Sequence, residues 1–243
     1  MAAFFTTIIY QPFYNGFIFL IGTLSFFDAG VIIIIFTIII KLILLPLSIK
    51  ASKAQLEMKG HEKNLNEIKE RHKDNKEELN KKTLEYYKEK GVNPFTSIFI
   101  ILIQLPILIG LYRVFIKSGL PKISTTLLYS FFSSYASIVP NMMFLGLINI
   151  SQKSLILAVI AGITTYFQIS FATAQVGPAS SDKQNDIARA MSMQMKYVFP
   201  ILMTYIAYII SSAVALYLIT SNIFSIVQEM YIRKKYHKSV TVI

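Results

Sequence analysis

The sequence lacks several residue types on which catalytic and secreted proteins often depend. It has no cysteine among its 243 residues, which excludes disulfides, a thiolate nucleophile, cysteine-bound metals and a lipid-modified cysteine anchor. Its three histidines, His61, His72 and His237, all fall in charged segments. No histidine and no central acidic residue lies in a hydrophobic run, so a base for hydrolysis within a membrane is missing. We expect no enzymatic activity, no cofactor and no metal site.

Charged residues are also scarce, and their scarcity indicates a membrane protein. They make up 15% of the chain, whereas hydrophobic residues make up 54%, and the mean hydropathy is +0.53. Several apolar runs exceed the length of a soluble core helix. The net charge of +11 would suggest a nucleic-acid partner in a soluble protein, but these charges are grouped along the chain, as in membrane proteins. We predict no DNA partner.

The segment 31–49, VIIIIFTIIIKLILLPLSI, is the most informative hydrophobic run. As a helix it is long enough to cross a hydrocarbon core of about 30 Å. Lys41 lies near its midpoint, where a charge costs about 2.5–3.5 kcal/mol on insertion scales. Thr37 and Ser48 share a helical face with Lys41, and Pro46 predicts a kink. Lys41 is therefore predicted to face a wet cavity; the alternative is a side chain that snorkels to the nearer headgroups.

Hydrophobic runs predict five transmembrane helices, at about 31–49, 94–116, 154–173, 197–211 and 213–229. The last two come from one stretch that would be roughly 48 Å long as a single helix, too long for one crossing. Ser211-Ser212 is the natural place for this stretch to fold back. Residues 1–27 contain no charged side chain, and their apolar side chains recur at helical spacing. They predict either an interfacial amphipathic helix or a sixth span.

The basic residues favour one orientation in the membrane. With a fold-back at Ser211-Ser212, the charged segment 50–91, the loop 174–196 and the tail 230–243 lie on one side. That side then carries nineteen of the twenty-four Lys and Arg residues, so the positive-inside rule makes it cytoplasmic and places the N-terminus outside. The segment 50–91 is predicted to be a helical hairpin that turns at Lys73–Lys76. Its thin apolar seam consists of Leu56, Leu65, Ile68, Leu79 and Leu84.

The order of motifs provides a family resemblance. IIIKLILLPLSIKASKAQ is followed by the charged hairpin and then by GVNPFTSIFIILIQLPILIGLYRVF; MFLGLINISQKS, QMKYVFPILM and ALYLITSNIFSIVQ come later. This succession resembles the YidC/Oxa/Alb family of membrane protein insertases over nearly the whole chain from about Ile9. The resemblance implies that Ile9–Ser25 lies along the outer interface and that the chain is of the compact bacterial type, without a large extracytoplasmic domain.

These inferences together predict an all-α, polytopic membrane bundle. It has five transmembrane helices, an N-terminal interfacial amphipathic helix within 1–27, and an insertase core at 28–243 that includes the cytoplasmic hairpin. The resemblance implies a bacterial plasma membrane protein. It also implies nascent membrane proteins as clients and the bilayer as surroundings, with the ribosome, targeting factors and a Sec-type channel as further partners, and it is compatible with a functional monomer.

The resemblance also implies a hydrophilic groove, open to cytoplasm and lipid, that receives client segments. The family usually has an arginine at the position of Lys41, and many members have a tryptophan at the position of Leu218. Polar residues of several spans fit such a groove from their spacing alone. The predicted groove residues are Lys41, Thr37, Gln104, Thr164, Gln168, Tyr217, Ser221 and Asn222, with Ser225 and Gln228 on the same helical face as Tyr217. The rival hypothesis is a small-solute or anion transporter, in which Lys41 binds the anion; the absence of obvious inverted repeats speaks against it.

Overall fold

The structure, a computed structural model, describes residues 5–91, 106–117, 120–173 and 193–240. Within these ranges the chain is mainly helical, and three short turns, Thr6–Tyr10, Arg113–Lys117 and Gln194–Val198, are π-helical. The helices are α1 (Gln11–Thr23), α2 (Ala29–Gly60), α3 (Glu62–Arg71), α4 (Lys76–Lys90), α5 (Pro106–Phe115), α6 (Leu155–Thr173), α7 (Phe199–Ile210) and α8 (Ser212–Val240).

Three of these helices are long and apolar enough to cross a membrane. The qualifying segments are Ala29–Ala54, Leu155–Ala172 and Ser212–Lys235, and the apolar segments Pro106–Phe115 and Gln194–Ile210 are shorter. The predicted helical membrane bundle is thereby confirmed. Helix α2 is longer than its hydrophobic run: it continues through Pro46 and ends at Gly60. One proline removes a single backbone hydrogen bond, and the flanking turns keep theirs.

Cross-helix contacts define the direction of each long helix. In α6 and α7 the residue numbers run in opposite senses, since Gly162 lies against Thr204 and the Tyr166 ring lies 6.0 Å from the Tyr197 ring. In α6 and α8 they run in the same sense, because Gln152, just before α6, accepts a hydrogen bond from Ser212, and Arg233 donates to the Phe171 carbonyl. Helix α7 is therefore antiparallel to both.

Helix α2 is parallel to α8 by the same test. Lys41 contacts Ser225, and Ser52 contacts Glu229. Helices α2, α6 and α8 thus begin at one end of the bundle. At Ser211, between α7 and α8, the backbone is extended, with φ −176° and ψ 164°. This is the position at which the sequence predicts that the chain folds back.

The segment 120–152 covers the end of the bundle where α2, α6 and α8 begin, which we call the capped end. Its carbonyl groups bond the first amides of two helices: Ala29 N donates to Asn141 O at 2.8 Å, and Ala213 N donates to Ile150 O at 2.9 Å. The segment contains a 3-10 helix, Ser130–Tyr135. It also contains a two-stranded antiparallel hairpin, β1 (Met143–Phe144) and β2 (Ile148–Asn149). This small sheet is the part of the fold that an all-α prediction omits.

Helix α1 packs against the capped end and against α2 and α5. Its Phe17 ring lies 5.8 Å from the Phe36 ring and 5.1 Å from the Phe115 ring, both edge-on. The sequence places Asn15 on a face away from the apolar stripe, yet the structure buries it. Its amide donates to Leu127 O at 2.8 Å and accepts from Tyr129 N at 2.7 Å. Asn15 therefore joins α1 to the segment 120–152 through satisfied backbone groups.

Helices α3 and α4 form the predicted charged hairpin. The chain turns at His72–Asn75, and the Asn75 side chain accepts a hydrogen bond from Glu78 N at 3.2 Å, which caps α4. Gly91 follows α4 with φ +65°, the left-handed conformation that commonly ends helices. Helix α3 is separated from α2 only by His61, so the hairpin continues directly from the longest helix.

The apolar seam of this hairpin differs in one position from the predicted one. Leu65 and Leu79 are buried, whereas Leu84 is 57% exposed. Tyr86 takes its place, because it lies seven residues after Leu79 and thus on the same helical face. The Tyr86 hydroxyl lies 2.8 Å from His61 Nδ1 and accepts from Asn64 at 2.9 Å. The side chain of Leu56 lies outside the described residues.

Candidate functional site

Lys41 lies between α2 and α8 and has a neutral partner. Its ammonium group donates a hydrogen bond to Ser225 Oγ at 3.1 Å. Ser225 in turn donates to the Ser221 carbonyl one turn earlier, at 2.9 Å, so its lone pairs are directed to the lysine. Lys41 is partly exposed. Within the described ranges no carboxylate lies within ion-pairing distance of it.

The contact between α2 and α8 continues as a polar strip. Gln228 donates to Ser48 Oγ at 2.6 Å, nearly two turns beyond Lys41 along α2. We define the polar strip as Lys41, Ser48, Ser225 and Gln228. The sequence places Ser48 on the face of Lys41, and Ser225 and Gln228 on one face of α8; the fold brings these two faces together. Three further predicted groove residues, Thr37, Tyr217 and Ser221, are buried in the same helices, and Thr37 donates to its own helix at Ile33 O.

Asn222 belongs to a second polar cluster, between α6 and α8. Its amide donates to Thr164 Oγ1 at 3.1 Å and to Thr165 Oγ1 at 2.8 Å. Thr165 was not among the predicted residues, although its side chain is the more buried of the two threonines. Gln168 lies one turn after Thr164 and is partly exposed. Seven of the eight predicted residues thus lie on α2, α6 and α8, and the eighth, Gln104, lies outside the described residues.

A third polar group lies at the end opposite the capped end and was missing from the predicted site. Ser52 donates to Glu229 Oε2 at 3.3 Å, and Arg233 Nε lies 3.4 Å from Glu229 Oε1. Arg233 also donates to the Phe171 carbonyl near the end of α6. These four residues therefore connect α2, α6 and α8. The sequence offers one signal for this group, since Glu229 and Arg233 are four residues apart on a helix.

An apolar cleft of about 320 Å³ lies beside the polar strip. It separates α1 and the turn before it from α2 and α5, and its lining includes Ile8, Phe13, Ile40, Ile43, Leu44 and Ile107. Ile40 directly precedes Lys41, so the cleft and the lysine occupy adjoining faces of α2. Ile43 is 70% exposed on the outer side of the helix. A charged group, neutral donors and acceptors, and an apolar surface therefore lie within two turns of one helix.

Comparisons with known proteins identify the family. A family model described as the 60Kd inner membrane protein matches residues 20–239. The membrane protein insertase YidC of Fusobacterium nucleatum is 34% identical over 206 residues, which cover 85% of this chain and 86% of that protein. The chain belongs to the YidC/Oxa/Alb family of membrane protein insertases. A YidC of Clostridium tetani is also similar, with 30% identity over 209 residues, 86% of this chain and 83% of that protein.

Membership in the YidC/Oxa/Alb family confirms the resemblance drawn from the motif order. The chain is accordingly a multi-pass membrane protein of the bacterial inner membrane. Some YidC relatives are much longer: the one from Citrifermentans bemidjiense is 27% identical, and the match covers only 33% of its length. The match to that protein covers 84% of this chain, so most of the chain corresponds to a part that short and long YidC proteins share.

Proposed function

We propose that this chain inserts newly made membrane proteins into the bilayer, and that the polar strip receives their hydrophilic segments. The observation that carries the proposal is the environment of Lys41. Its ammonium is partly exposed and hydrogen-bonded to a hydroxyl group, so its positive charge is not neutralised by a carboxylate of the described chain. An unpaired positive charge inside a helical membrane bundle has a high free-energy cost, and residues of this kind usually have a function.

Electrostatics explain what the lysine contributes. A hydrophilic client segment meets a barrier in which each charge costs several kcal/mol. Two opposite charges about 4 Å apart attract by roughly 4 kcal/mol at an effective dielectric constant near 20. Lys41 therefore lowers the cost of bringing an acidic client residue part-way into the membrane. Ser48, Ser225 and Gln228 offer hydrogen-bonding groups along the same route.

The apolar surroundings account for the second half of insertion. Once the hydrophilic segment occupies the strip, the apolar segment of the client lies next to exposed side chains of α2 such as Leu42 and Ile43. From there it moves sideways into lipid, where removal of its apolar surface from water drives completion. No nucleotide is needed for this sequence of steps. The chain acts as a chaperone-like insertase rather than as an enzyme.

The charged segments suggest orientation and partners. We place the capped end outside the cell and the α3–α4 hairpin and the basic tail 230–243 in the cytoplasm, in accordance with the positive-inside rule. Lys234 and Lys235, in the part of α8 that belongs to this tail, are exposed. Together with the hairpin they are suited to salt-sensitive contacts with ribosomal RNA phosphates. The clients are nascent membrane proteins, with targeting factors and a Sec-type channel as further partners, and one copy suffices for the polar strip.

Site-specific crosslinking tests this function. A photo-reactive amino acid at Gln228, in the polar strip, should crosslink to a stalled single-span nascent chain. The matched control is Val159, which is exposed on α6 outside the strip and should crosslink mainly to lipid. Equal crosslinking from both positions, or none from Gln228, would contradict the role of the strip.

A further inference from the structure

The hairpin β1–β2 at the capped end has an exposed surface that is unusual for a turn in water. The pairing joins Met143 to Asn149 and Phe144 to Ile148, and Leu145-Gly146 forms its tip. Residues 141–149, NMMFLGLIN, include no charged residue. Leu145 is 64% exposed and Leu147 is 81% exposed. Met143, at the start of β1, is 39% exposed, so the exposed apolar surface includes both a strand residue and the turn.

The backbone of the tip makes the leucines more unusual still. Leu145 has φ +51° and Gly146 has φ +72°, and Leu147 N donates to Phe144 O at 2.9 Å. Positive φ at both central residues defines a type I′ turn, whose first central position normally holds asparagine, aspartate or glycine. A leucine in this conformation is strained. In water, the exposed side chains of Leu145 and Leu147 would gain no apolar burial to offset this strain.

The hairpin is nevertheless fixed to the start of α2 by hydrogen bonds and by packing. Asp28 accepts hydrogen bonds from Val31 N at 2.9 Å and from Leu145 N at 3.1 Å, so one carboxylate caps α2 and fixes the tip. Phe144 lies directly over Gly30, where a Cβ atom would come within 2.4 Å of its ring. The tip is therefore anchored at the first turn of a membrane-spanning helix.

The surface around this anchor continues the same apolar character. Phe26, two residues before Asp28, is 75% exposed, and its ring lies 4.3 Å from the Phe27 ring. At the start of α6, Leu155 and Ile156 are exposed as well. These residues lie at or just before the first turns of α2 and α6, at the same end of the bundle as the hairpin.

We propose that the β1–β2 hairpin inserts its tip into the lipid leaflet at the capped end. Leu145 and Leu147 enter the boundary between headgroups and acyl chains, and the hairpin fixes the depth of the bundle beside α2. The occupant is lipid because the hairpin lacks charge, is joined to the first turn of a span, and lies at the same end of the bundle as other exposed apolar residues. The proposal does not depend on insertase activity.

The absence of tryptophan from the chain permits a direct test in reconstituted vesicles. Leu147→Trp places a single tryptophan at an exposed position outside the strained pair, and phospholipids brominated near the headgroup or near the chain end quench nearby indole emission. Two matched controls replace other exposed side chains: Ile43→Trp on α2 and Leu84→Trp on the charged hairpin.

We expect Leu147→Trp to emit at short wavelength and to lose emission mainly with lipid brominated near the headgroup. Ile43→Trp should lose emission mainly with lipid brominated near the chain end, and Leu84→Trp should be unaffected by either. If Leu147→Trp behaves like Leu84→Trp, the tip lies in water and the proposal is wrong. Short-wavelength emission without lipid quenching, appearing only at high protein-to-lipid ratio, would assign the tip to a second copy and would also overturn it.

A second reporter protects the test against local misfolding by tryptophan. Leu147→Cys, labelled with a nitroxide, introduces a single thiol into a chain that has none. Oxygen, which concentrates in lipid, should strongly increase the relaxation rate of the nitroxide spin, and a water-soluble nickel complex should increase it only weakly. The reverse pattern would contradict lipid insertion independently of the fluorescence result.

Discussion

At the scale of single residues, the pairing of Lys41 with Ser225 determines how the strip is charged. A hydroxyl partner holds the ammonium in place through one hydrogen bond of 3.1 Å and leaves the net positive charge unchanged. Hydrogen bonds between helices in membranes contribute on average about 0.6 kcal/mol, so this contact positions Lys41 more than it stabilises the fold. If the strip receives client segments as proposed, the identity of residue 225 therefore controls the charge that they meet.

The first prediction changes this partner. Ser225→Asp should place a carboxylate beside Lys41 and neutralise it, so insertion of clients with acidic translocated segments should fall by about tenfold, equivalent to roughly 1.4 kcal/mol. Neutral clients should be inserted nearly as well as before. Ser225→Asn, which is polar but uncharged, serves as the control. The measurement is insertion of both clients into vesicles, and an equal loss for both would refute the charge argument.

Residue spacing predicted the polar strip better than it predicted Asn222. The i, i+4 and i+7 positions of α2 and α8 define one face each, and the two faces meet because both helices are parallel and adjacent. Asn222 borders the α8 face, and spacing does not tell which neighbouring helix it contacts. Thr165 was not predicted for a different reason: a threonine on an apolar helix usually bonds its own backbone, as Thr165 does to Ala161 O.

At the scale of elements, the end opposite the capped end depends on the group formed by Ser52, Phe171, Glu229 and Arg233. Glu229 is largely buried and lies between α2 and the Arg233 side chain. Arg233 reaches the last turn of α6, where free carbonyl groups favour a cation. This arrangement fixes the spacing of three parallel helices where the polar strip ends.

The second prediction follows from this group. Glu229→Gln should lower stability by about 1–3 kcal/mol, because the partly buried Arg233 loses a charged partner. In a double-mutant cycle with Arg233→Gln, the coupling should be clearly different from zero. The control is Glu85→Gln, which breaks the exposed pair with Lys82 and should leave the unfolding temperature unchanged. Thermal unfolding in detergent gives both values, and additive effects at 229 and 233 would exclude a direct coupling.

Element boundaries show what hydropathy can and cannot predict. Hydrophobicity ends near residue 49, but α2 continues to Gly60, because hydropathy locates the membrane surface whereas the helix ends only where a terminating residue or turn occurs. At Asn75 and Gly91 the residue type matches the backbone role, since asparagine commonly caps helices and glycine readily adopts the left-handed conformation that ends them. At Leu145 it does not, since leucine is not typical of a type I′ turn.

At the scale of the whole molecule, the parallel directions of α2, α6 and α8 determine which segments share a side. Helix α7 runs antiparallel to them and returns the chain to the capped end, where α8 begins. The capped end carries the segment 120–152, and the charged hairpin follows the opposite end of α2. The apolar character of the chain was sufficient to predict a helical membrane bundle. The apolar character could not predict which helices contact each other, because lipid-facing and helix-facing side chains are both apolar.

The third prediction concerns orientation. Single cysteines introduced at Lys82, on the charged hairpin, should be shielded from an impermeant thiol reagent in intact cells. A cysteine at Lys122, exposed in the segment 120–152, should react. Because the parent chain has no cysteine, it provides the background control, and permeabilised cells confirm that both positions are reactive. Labelling at 82 from outside would reverse the proposed orientation.

The charge of Lys41 is the central claim, and one measurement tests it most directly. Insertion of an acidic and a neutral single-span client is compared for Lys41→Arg, Lys41→Ala and Lys41→Glu, normalised to the amount of each variant in the membrane. The account predicts that the arginine variant retains insertion, since it keeps the charge. The glutamate variant should fail on the acidic client because attraction becomes repulsion, and the alanine variant should fall between them. Equal losses for both clients, or full activity of the glutamate variant, would contradict the electrostatic role of Lys41.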